Sequence, residues 1–129
     1  MKHKKQDLPS RCKSEKEIEA AVTDYARSTG YIPIRFTPRG DRGWPDHIYA
    51  GPHGLTVWIE FKAPGKKPTK IQVYRINQLL NMGHVAGWFD NEKTACEFLD
   101  AARLSAARDA FNANSSERRF IPGSWFREN

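Results

Sequence analysis

Cysteine and long apolar runs are both scarce in this chain. Its two cysteines, Cys12 and Cys96, stand far apart, and neither has a second cysteine at a zinc-ligand spacing, so no structural zinc site is expected. No apolar run approaches the length of a membrane span, which disfavours a membrane protein. The polar, basic start of the sequence lacks the apolar segment of a secretory signal. We therefore expect free thiols and a reducing, cytoplasmic location.

Acidic residues are also in the minority. The 129 residues include 21 Lys and Arg against 15 Asp and Glu, which gives a net charge of +6. The excess lies in residues 1–75, which hold 15 basic and 8 acidic residues, whereas residues 76–129 hold 6 and 7. A basic half favours a polyanionic partner, with nucleic acid the first choice. The alternative is a basic surface that meets only solvent.

The composition and patterning are those of a folded α/β protein. Hydrophobic residues make up 39% of the chain and aromatic residues 12%, enough for one domain with a real core. Hydrophobic periodicity and turn residues predict seven elements: a helix over 14–29, strands over 31–36, 46–50 and 55–62, a helix over 69–82, a strand over 85–89 and a helix over 92–113. Pro33 favours an edge position for the first strand. The order α-β-β-β-α-β-α predicts a mixed β-sheet flanked by helices.

The two ends of the chain fall outside this pattern. Residues 1–13 predict a basic flexible arm, residues 14–113 the folded domain, and residues 114–129 a tail without clear periodicity. The tail carries aromatic residues, among them Phe120 and Trp125. Such residues are consistent with a partner surface, a dimer contact or packing over the core, and the sequence leaves these alternatives open.

The stretch 58-WIEFK-62 carries an unusual pair of charges. Because side chains alternate between the two faces of a strand, Glu60 and Lys62 share the face opposite Phe61. Asp46 opens the preceding strand, and the hairpin turn joins the other ends of the two strands, so Asp46 is expected beside Glu60. Two carboxylates and one lysine are therefore predicted to converge at one edge of the sheet.

Such a cluster has a specific chemical use. Neighbouring carboxylates repel each other unless a positive charge compensates, and Mg²⁺ is a cation that takes oxygen ligands. A bound divalent metal can generate hydroxide and polarise a phosphoryl oxygen, and a nearby lysine can stabilise the charge of the transition state. The cluster therefore indicates phosphodiester hydrolysis. The alternative is a cross-strand Glu–Lys pair on a surface hairpin, which contributes less than about 1 kcal/mol.

The order of these motifs resembles a known nuclease signature. Pro45-Asp46 followed by 60-EFK-62 is similar to the PD-(D/E)XK pattern, and the chain resembles a phage-type, stand-alone member of the VRR-NUC (virus-type replication–repair nuclease) family. The supporting segments are 15-EKEIE-19, 39-RGDRGWPD-46, 58-WIEFKAPGKKP-68, Gln72 and 79-LLNMG-83. The resemblance implies a restriction endonuclease-like fold, dependence on a divalent metal and cleavage of DNA.

The resemblance also assigns roles to residues of the predicted cluster. Asp46 and Glu60 would be metal ligands, with the backbone carbonyl of Phe61 as a further ligand, and Lys62 would be the catalytic lysine. Gln72 would lie close to the site at the start of the second helix and orient a water or the loop after Lys62. The alternative for Gln72 is an ordinary solvent-facing helical residue.

A glutamate of the first helix is also used by the family. Glu19 lies at the edge of the apolar stripe formed by Ile18 and Val22, so it is the first candidate for a metal ligand and catalytic residue. Glu15 is the second choice. For both residues the alternative is an acidic first turn that favours the helix through its dipole.

Several residues border the predicted site. Taken singly, each of these basic residues is better explained as a solvated surface charge, but as a set that flanks the site they are predicted to contact DNA phosphates: Arg35, Arg39, Arg42, Lys66, Lys67 and Lys70. Trp44 could stack on a base or anchor its loop. His47 is interpreted as structural, because its side chain should point to the face opposite that of Asp46.

Together these features predict an Mg²⁺- or Mn²⁺-dependent endodeoxyribonuclease. The family resemblance favours selectivity for branched DNA such as four-way (Holliday) junctions, a homodimer, a role in replication, recombination or repair, and, for a phage-encoded protein, the host cytoplasm. No membrane and no organic cofactor are expected. The alternatives are a DNA-binding module of the same fold without activity, and a nuclease without structure selectivity.

Overall fold

The computed structural model describes residues 13–113. In chain order they form seven elements: α1 (Glu15–Ser28), β1 (Ile32–Arg35), β2 (His47–Ala50), β3 (Thr56–Phe61), α2 (Lys70–Asn81), β4 (Val85–Phe89) and α3 (Glu92–Asn112). The predicted order is confirmed, with element ends that differ from the predicted ones by at most two residues. The predictions for the basic arm, apart from Lys13, and for the tail over 114–129 lie outside the described residues.

Helix α1 begins and packs as its sequence predicts. The Ser14 side chain accepts a hydrogen bond from the Glu17 backbone, and the Glu17 side chain accepts one from the Ser14 backbone, which completes a capping box. Ile18, Val22 and Ala26 form its buried stripe. None of the three helices in residues 13–113 is both long and apolar enough to cross a membrane.

The sheet has four strands in the order β1-β2-β3-β4. Strands β1, β2 and β3 pair antiparallel, whereas β4 pairs parallel with β3 after the crossover through α2. Strand β1 lies at an edge, as Pro33 predicts. The predicted mixed sheet flanked by helices is therefore confirmed.

Two hydrophobic clusters cover the two faces of the sheet. On one face α1 and α3 pack against alternate residues of β2 and β3, including Tyr49, Val57, Ile59 and Phe61, all almost fully buried. On the other face α2 contributes a smaller cluster around Ile76 and Leu79, joined by Ala86 and the partly buried Trp44, Trp58 and Trp88. Because one face of β3 is fixed in the main core, the alternate side chains of this strand are presented in defined positions toward α2.

Candidate active site

The strand register places two carboxylates side by side. His47 of β2 pairs with Ile59 of β3, so the next position of this antiparallel register sets Asp46 opposite Glu60. The Asp46 backbone is held on its other side as well, because its carbonyl accepts a hydrogen bond of 2.9 Å from the Phe36 amide. Asp46 therefore lies beside Glu60, as predicted, because the strand pairing on both sides of β2 extends to Asp46.

Glu60 is the most buried carboxylate of this edge. Only 8% of the residue is exposed, and its Oε2 accepts a hydrogen bond of 3.2 Å from Gln72 Nε2. Lys62 Nζ lies 3.9 Å from the same oxygen, on the same face of the strand. Burial, followed by the negative charge of Asp46, raises the pKa of Glu60 to about 7, against the opposing effect of Lys62. A carboxylate here is therefore poorly compensated by the protein's own groups.

Gln72 joins the site to the start of α2. Gln72 Oε1 accepts a hydrogen bond from the Thr69 backbone amide, and the Gln72 backbone amide donates one to the Thr69 hydroxyl. The two residues therefore form a capping box. The remaining Nε2 of Gln72 is thereby directed at Glu60. Gln72 is thus a contact of the predicted ligand, and the solvent-facing alternative is wrong. The pattern Thr-x-x-Gln at 69–72 is a sequence signal for this cap.

Asp46 is tied to two cationic or polar neighbours. Its Oδ1 lies 2.8 Å from His47 Nδ1, and its Oδ2 lies 3.7 Å from a guanidinium nitrogen of Arg35. The hydrogen bond with His47 holds the pKa of Asp46 below its usual value, although partial burial acts in the opposite direction. Asp46 is therefore ionised while Glu60 beside it tends to bind a proton.

His47 lies in the core, as its structural interpretation predicts, and it also contacts the site through Asp46. The side chain does enter the core, where it packs edge-on against Phe61 at 4.9 Å between ring centroids. Asp46, however, precedes the first residue of β2, so the strict alternation of a strand does not apply to its side chain. The imidazole edge consequently reaches the Asp46 carboxylate from the core side.

The glutamates of α1 approach the same edge from below the sheet. Glu19 Oε1 lies 3.7 Å from both an Arg35 nitrogen and His47 Nε2. Burial, opposed by His47, raises the pKa of Glu19. The negative charge of Glu15 also contributes to the raised pKa of Glu60, ahead of Glu19. Both glutamates therefore lie near the cluster, and the choice between them as a ligand stays a prediction.

The loop that carries Asp46 is anchored to α2. Arg75 Nε donates a hydrogen bond of 2.9 Å to the Arg42 carbonyl, and the guanidinium lies 4.5 Å from the centre of the Trp44 ring. Gly43 adopts φ +86° and packs so closely that a Cβ there would lie 2.7 Å from the Ile71 side chain. Trp44 therefore serves as an anchor of its loop, the second of its two predicted roles. Sequence reasoning missed Arg75, for which no local motif exists.

The six predicted DNA-contact residues occupy the segments that border this edge, and all six are exposed. Arg35 is the last residue of β1, and its side chain makes the pairs with Glu19 and Asp46 described above. The other five lie in the loops on either side of the site or at the start of α2. Within residues 13–113 none of these five side chains forms an ion pair. Their charges are therefore available to an external anion.

The donor set can be tested against a divalent cation. Within residues 13–113 no group of three or more His, Cys, Asp or Glu side chains is arranged to hold a metal. Mg²⁺, however, is commonly bound by one or two carboxylates together with water and substrate phosphate. Asp46 and the buried Glu60 supply two such carboxylates, and the Phe61 residue between Glu60 and Lys62 ends β3 at the same place. These residues fit a cation of this kind.

Comparisons with known proteins concern the fold and the family of the chain. No family model matches the chain. A protein named "Putative nuclease p44", from Acyrthosiphon pisum secondary endosymbiont phage 1, is 39% identical over 70 residues, which are 54% of this chain and 75% of that protein. Two solved structures, described as a VRR_NUC domain and a VRR_NUC domain protein, have the same fold. The chain belongs to the VRR-NUC family.

The structural similarity covers nearly all of each VRR-NUC structure. The first aligns with a TM-score of 0.62 and 17% identity over 67% of this chain and 94% of that one. The second aligns with a TM-score of 0.61 and 18% identity over 74% of this chain and 92% of that one. The family resemblance and the fold class expected from the motifs are thereby confirmed. The roles of the individual VRR-NUC site residues remain predictions.

Proposed function

We propose that this VRR-NUC domain is a divalent-metal-dependent DNA endonuclease that hydrolyses phosphodiester bonds. The observation that carries the proposal is the pairing of Asp46 with a buried Glu60 whose oxygen also faces Lys62. A buried carboxylate whose proton affinity is raised by burial and by a neighbouring carboxylate, and which Lys62 only partly compensates, is costly for folding. A purely binding module has no use for such a pair beside phosphate, whereas a cation site has.

Each residue of the site has a definite task in this proposal. Asp46 and Glu60 would hold Mg²⁺ or Mn²⁺, with the Phe61 carbonyl and Glu19, or Glu15 in its place, as further oxygen donors. When bound, the cation would supply Lewis acidity and lower the pKa of water. Lys62 would stabilise the negative charge that develops on the phosphate, since its ammonium already points toward Glu60. Gln72 would keep Glu60 in place through its Nε2 hydrogen bond.

The basic loops would bring the DNA backbone to this site. The exposed charges at Arg39, Arg42, Lys66, Lys67 and Lys70 border it, and such contacts position nucleic acid without reading sequence. The relative from a phage carries the name of a nuclease, which supports DNA cleavage as the activity. A preference for branched DNA and a two-fold homodimer, whose symmetry would match a four-way junction, are finer parts of the same proposal.

A panel of labelled DNAs tests the proposal and its alternatives together. Junction, flap and linear duplex substrates should be incubated with Mg²⁺ or with EDTA. We expect Mg²⁺-dependent cleavage that is faster on the junction than on the duplex. Equal rates on all substrates would remove structure selectivity and keep the nuclease. Salt-sensitive binding without any cleavage would leave a DNA-binding module and reject the enzyme.

A further inference from the structure

His47 stands out among residues 13–113 because its side chain makes the only described side-chain hydrogen bond to the Asp46 carboxylate. Within residues 13–113 the other ion pair of the Asp46 carboxylate is with Arg35, at 3.7 Å. Nearly half of the Asp46 side chain is exposed, so burial does not fix its orientation. The contact with His47, at 2.8 Å, is therefore what determines where the carboxylate oxygens point.

The hydrogen-bond partners of the imidazole define its tautomer. Arg35 lies 3.3 Å from His47 Nε2, and a guanidinium can only donate hydrogen bonds. In the neutral ring Nε2 therefore accepts from Arg35 and the hydrogen belongs to Nδ1, since Glu19 Oε1, at 3.7 Å from Nε2, is too distant to accept a hydrogen bond. Since the Asp46 carboxylate can only accept, this Nδ1–H is the donor of the 2.8 Å hydrogen bond.

The imidazole ring itself is held by the core. Its side chain is only 7% exposed, Phe61 packs edge-on against it, and Tyr49 stacks beside it at 6.3 Å. The Tyr49 hydroxyl is in turn hydrogen-bonded to Thr23 of α1 at 2.9 Å. The ring is therefore a rigid part of the core that presents one donor to an otherwise exposed carboxylate.

We propose that His47 is a positioning residue, which fixes the Asp46 carboxylate beside Glu60 through its Nδ1–H and so presets the cation site. This inference rests on the proposed function. Hydrogen-bonded partners of a ligating carboxylate commonly change metal affinity by about 10- to 100-fold when removed. His47 would touch neither the DNA nor the cation.

Two substitutions separate the hydrogen bond from the bulk of the ring. In His47→Asn, the side-chain amide can donate from a position near that of Nδ1, whereas His47→Leu fills space without any donor. We expect the affinity for Mn²⁺, measured without DNA by electron paramagnetic resonance of the free ion, to fall 10- to 100-fold in His47→Leu and less than about 5-fold in His47→Asn. Circular dichroism melts would set a temperature at which both variants are folded.

A second measurement does not depend on either variant. Long-range ¹H–¹⁵N spectra of the metal-free protein near pH 8 report which ring nitrogen carries the hydrogen, and the Nδ1–H tautomer is expected. An Nε2–H tautomer would overturn the inference. So would equal Mn²⁺ affinities of the wild type and His47→Leu.

The results also distinguish this inference from the proposed function. If the wild type binds Mn²⁺ and the two variants rank as expected, but no DNA is cleaved, the positioning role stands and the nuclease fails. If the wild type cleaves DNA and His47→Leu matches it in both Mn²⁺ affinity and rate, the nuclease stands and the positioning role fails. A wild type that binds no Mn²⁺ overturns both.

Discussion

Gln72 of α2 donates its side-chain amide to Glu60 of β3 over 3.2 Å, while its carbonyl oxygen caps the helix from which it projects. One side chain thus links the first turn of a surface helix to a buried carboxylate. The two roles of Gln72, capping of α2 and the hydrogen bond to Glu60, can therefore be tested separately. Thr69 takes part in the cap and has no described hydrogen bond with Glu60.

Removal of Gln72 should therefore affect both stability and the site. Gln72→Ala loses half of the capping box and the donor to Glu60, and we expect a loss of about 1 kcal/mol in the free energy of unfolding together with at least 10-fold slower DNA cleavage. Thr69→Ala, the matched control, should lose a similar free energy and keep its cleavage rate. Chemical denaturation and single-turnover cleavage provide the two measurements. Equal cleavage by the two variants would contradict a role of Gln72 at the site.

The raised pKa of Glu60 predicts a specific pH dependence of stability. The unfolded carboxyl has its ordinary value of 4.5, whereas the folded one is raised to about 7, so the folded state binds the proton more tightly. The raised pKa of Glu60 therefore does not change the free energy of unfolding below pH 4.5. Above this pH it lowers the free energy of unfolding progressively up to about pH 7, by about 3 kcal/mol in full. In EDTA, Glu60→Gln should be more stable than the wild type at pH 8, and the difference should shrink toward pH 5.

The control for this experiment is Glu97, an exposed carboxylate on α3 that pairs with Lys93. Glu97→Gln should show no growing gain in stability between pH 5 and pH 8. Urea denaturation of the three proteins at both values measures the differences. A stability gain of Glu60→Gln that does not depend on pH would argue against a buried, proton-binding Glu60.

The close packing of the Asp46 loop on α2 can be tested with two glycines of equal backbone conformation. Gly40 and Gly43 both have φ +86°, but a Cβ at Gly40 meets nothing within 4 Å, whereas one at Gly43 meets the backbone and side chain of Ile71. Gly40→Ala should cost about 1 kcal/mol from the left-handed conformation alone. Gly43→Ala should cost at least about 1 kcal/mol more, because overpacking adds to this strain. Thermal denaturation compares them, and equal losses would mean that the loop is not fixed against α2.

The exposed lysines after β3 should govern the salt dependence of DNA binding. Replacement of both Lys66 and Lys67 by alanine should weaken binding and reduce the slope of log affinity against log salt by about two. Replacement of Arg108 by alanine is the control and should leave the slope unchanged. Arg108 is exposed near the end of α3 that lies beside the turn between β2 and β3, and this turn is at the end of the hairpin opposite Asp46 and Glu60. Fluorescence anisotropy in EDTA measures binding without cleavage. An unchanged slope in the lysine variant would place the DNA elsewhere.

Much of the fold and part of the site could be predicted from the sequence. The capping box at Ser14, the alternation around Glu60 and the order of elements are local patterns, and together they place Asp46 and Glu60 at one edge. The family resemblance places Gln72 near the site, but its hydrogen bond to Glu60 could not be predicted, because it depends on how α2 packs over β3. The contact of His47 with Asp46 could not be predicted either. The His47 ring reaches Asp46 only because β2 begins at His47, one residue after Asp46.

The anchoring of the loop shows the same limit. Arg75 and Trp44 lie 31 positions apart in the sequence, and no spacing rule connects a helix residue to a loop aromatic at that separation. The contact exists because α2 crosses the sheet beside the loop, which is a property of the packed structure. Local patterns therefore identify the two carboxylates that are predicted to be ligands, whereas the contacts that support them require the three-dimensional structure.

Asp46 and Glu60 are proposed to form a cation site for DNA cleavage. This site is tested most directly by the cleavage rate of a labelled four-way junction in Mg²⁺, with the wild type and Asp46→Asn prepared in parallel and shown to be folded. We expect cleavage by the wild type that EDTA abolishes, and a loss of at least 1000-fold in Asp46→Asn, a size typical of a lost catalytic metal ligand or electrostatic group. Undiminished cleavage by Asp46→Asn, or cleavage by the wild type in EDTA, would contradict the proposed cation site.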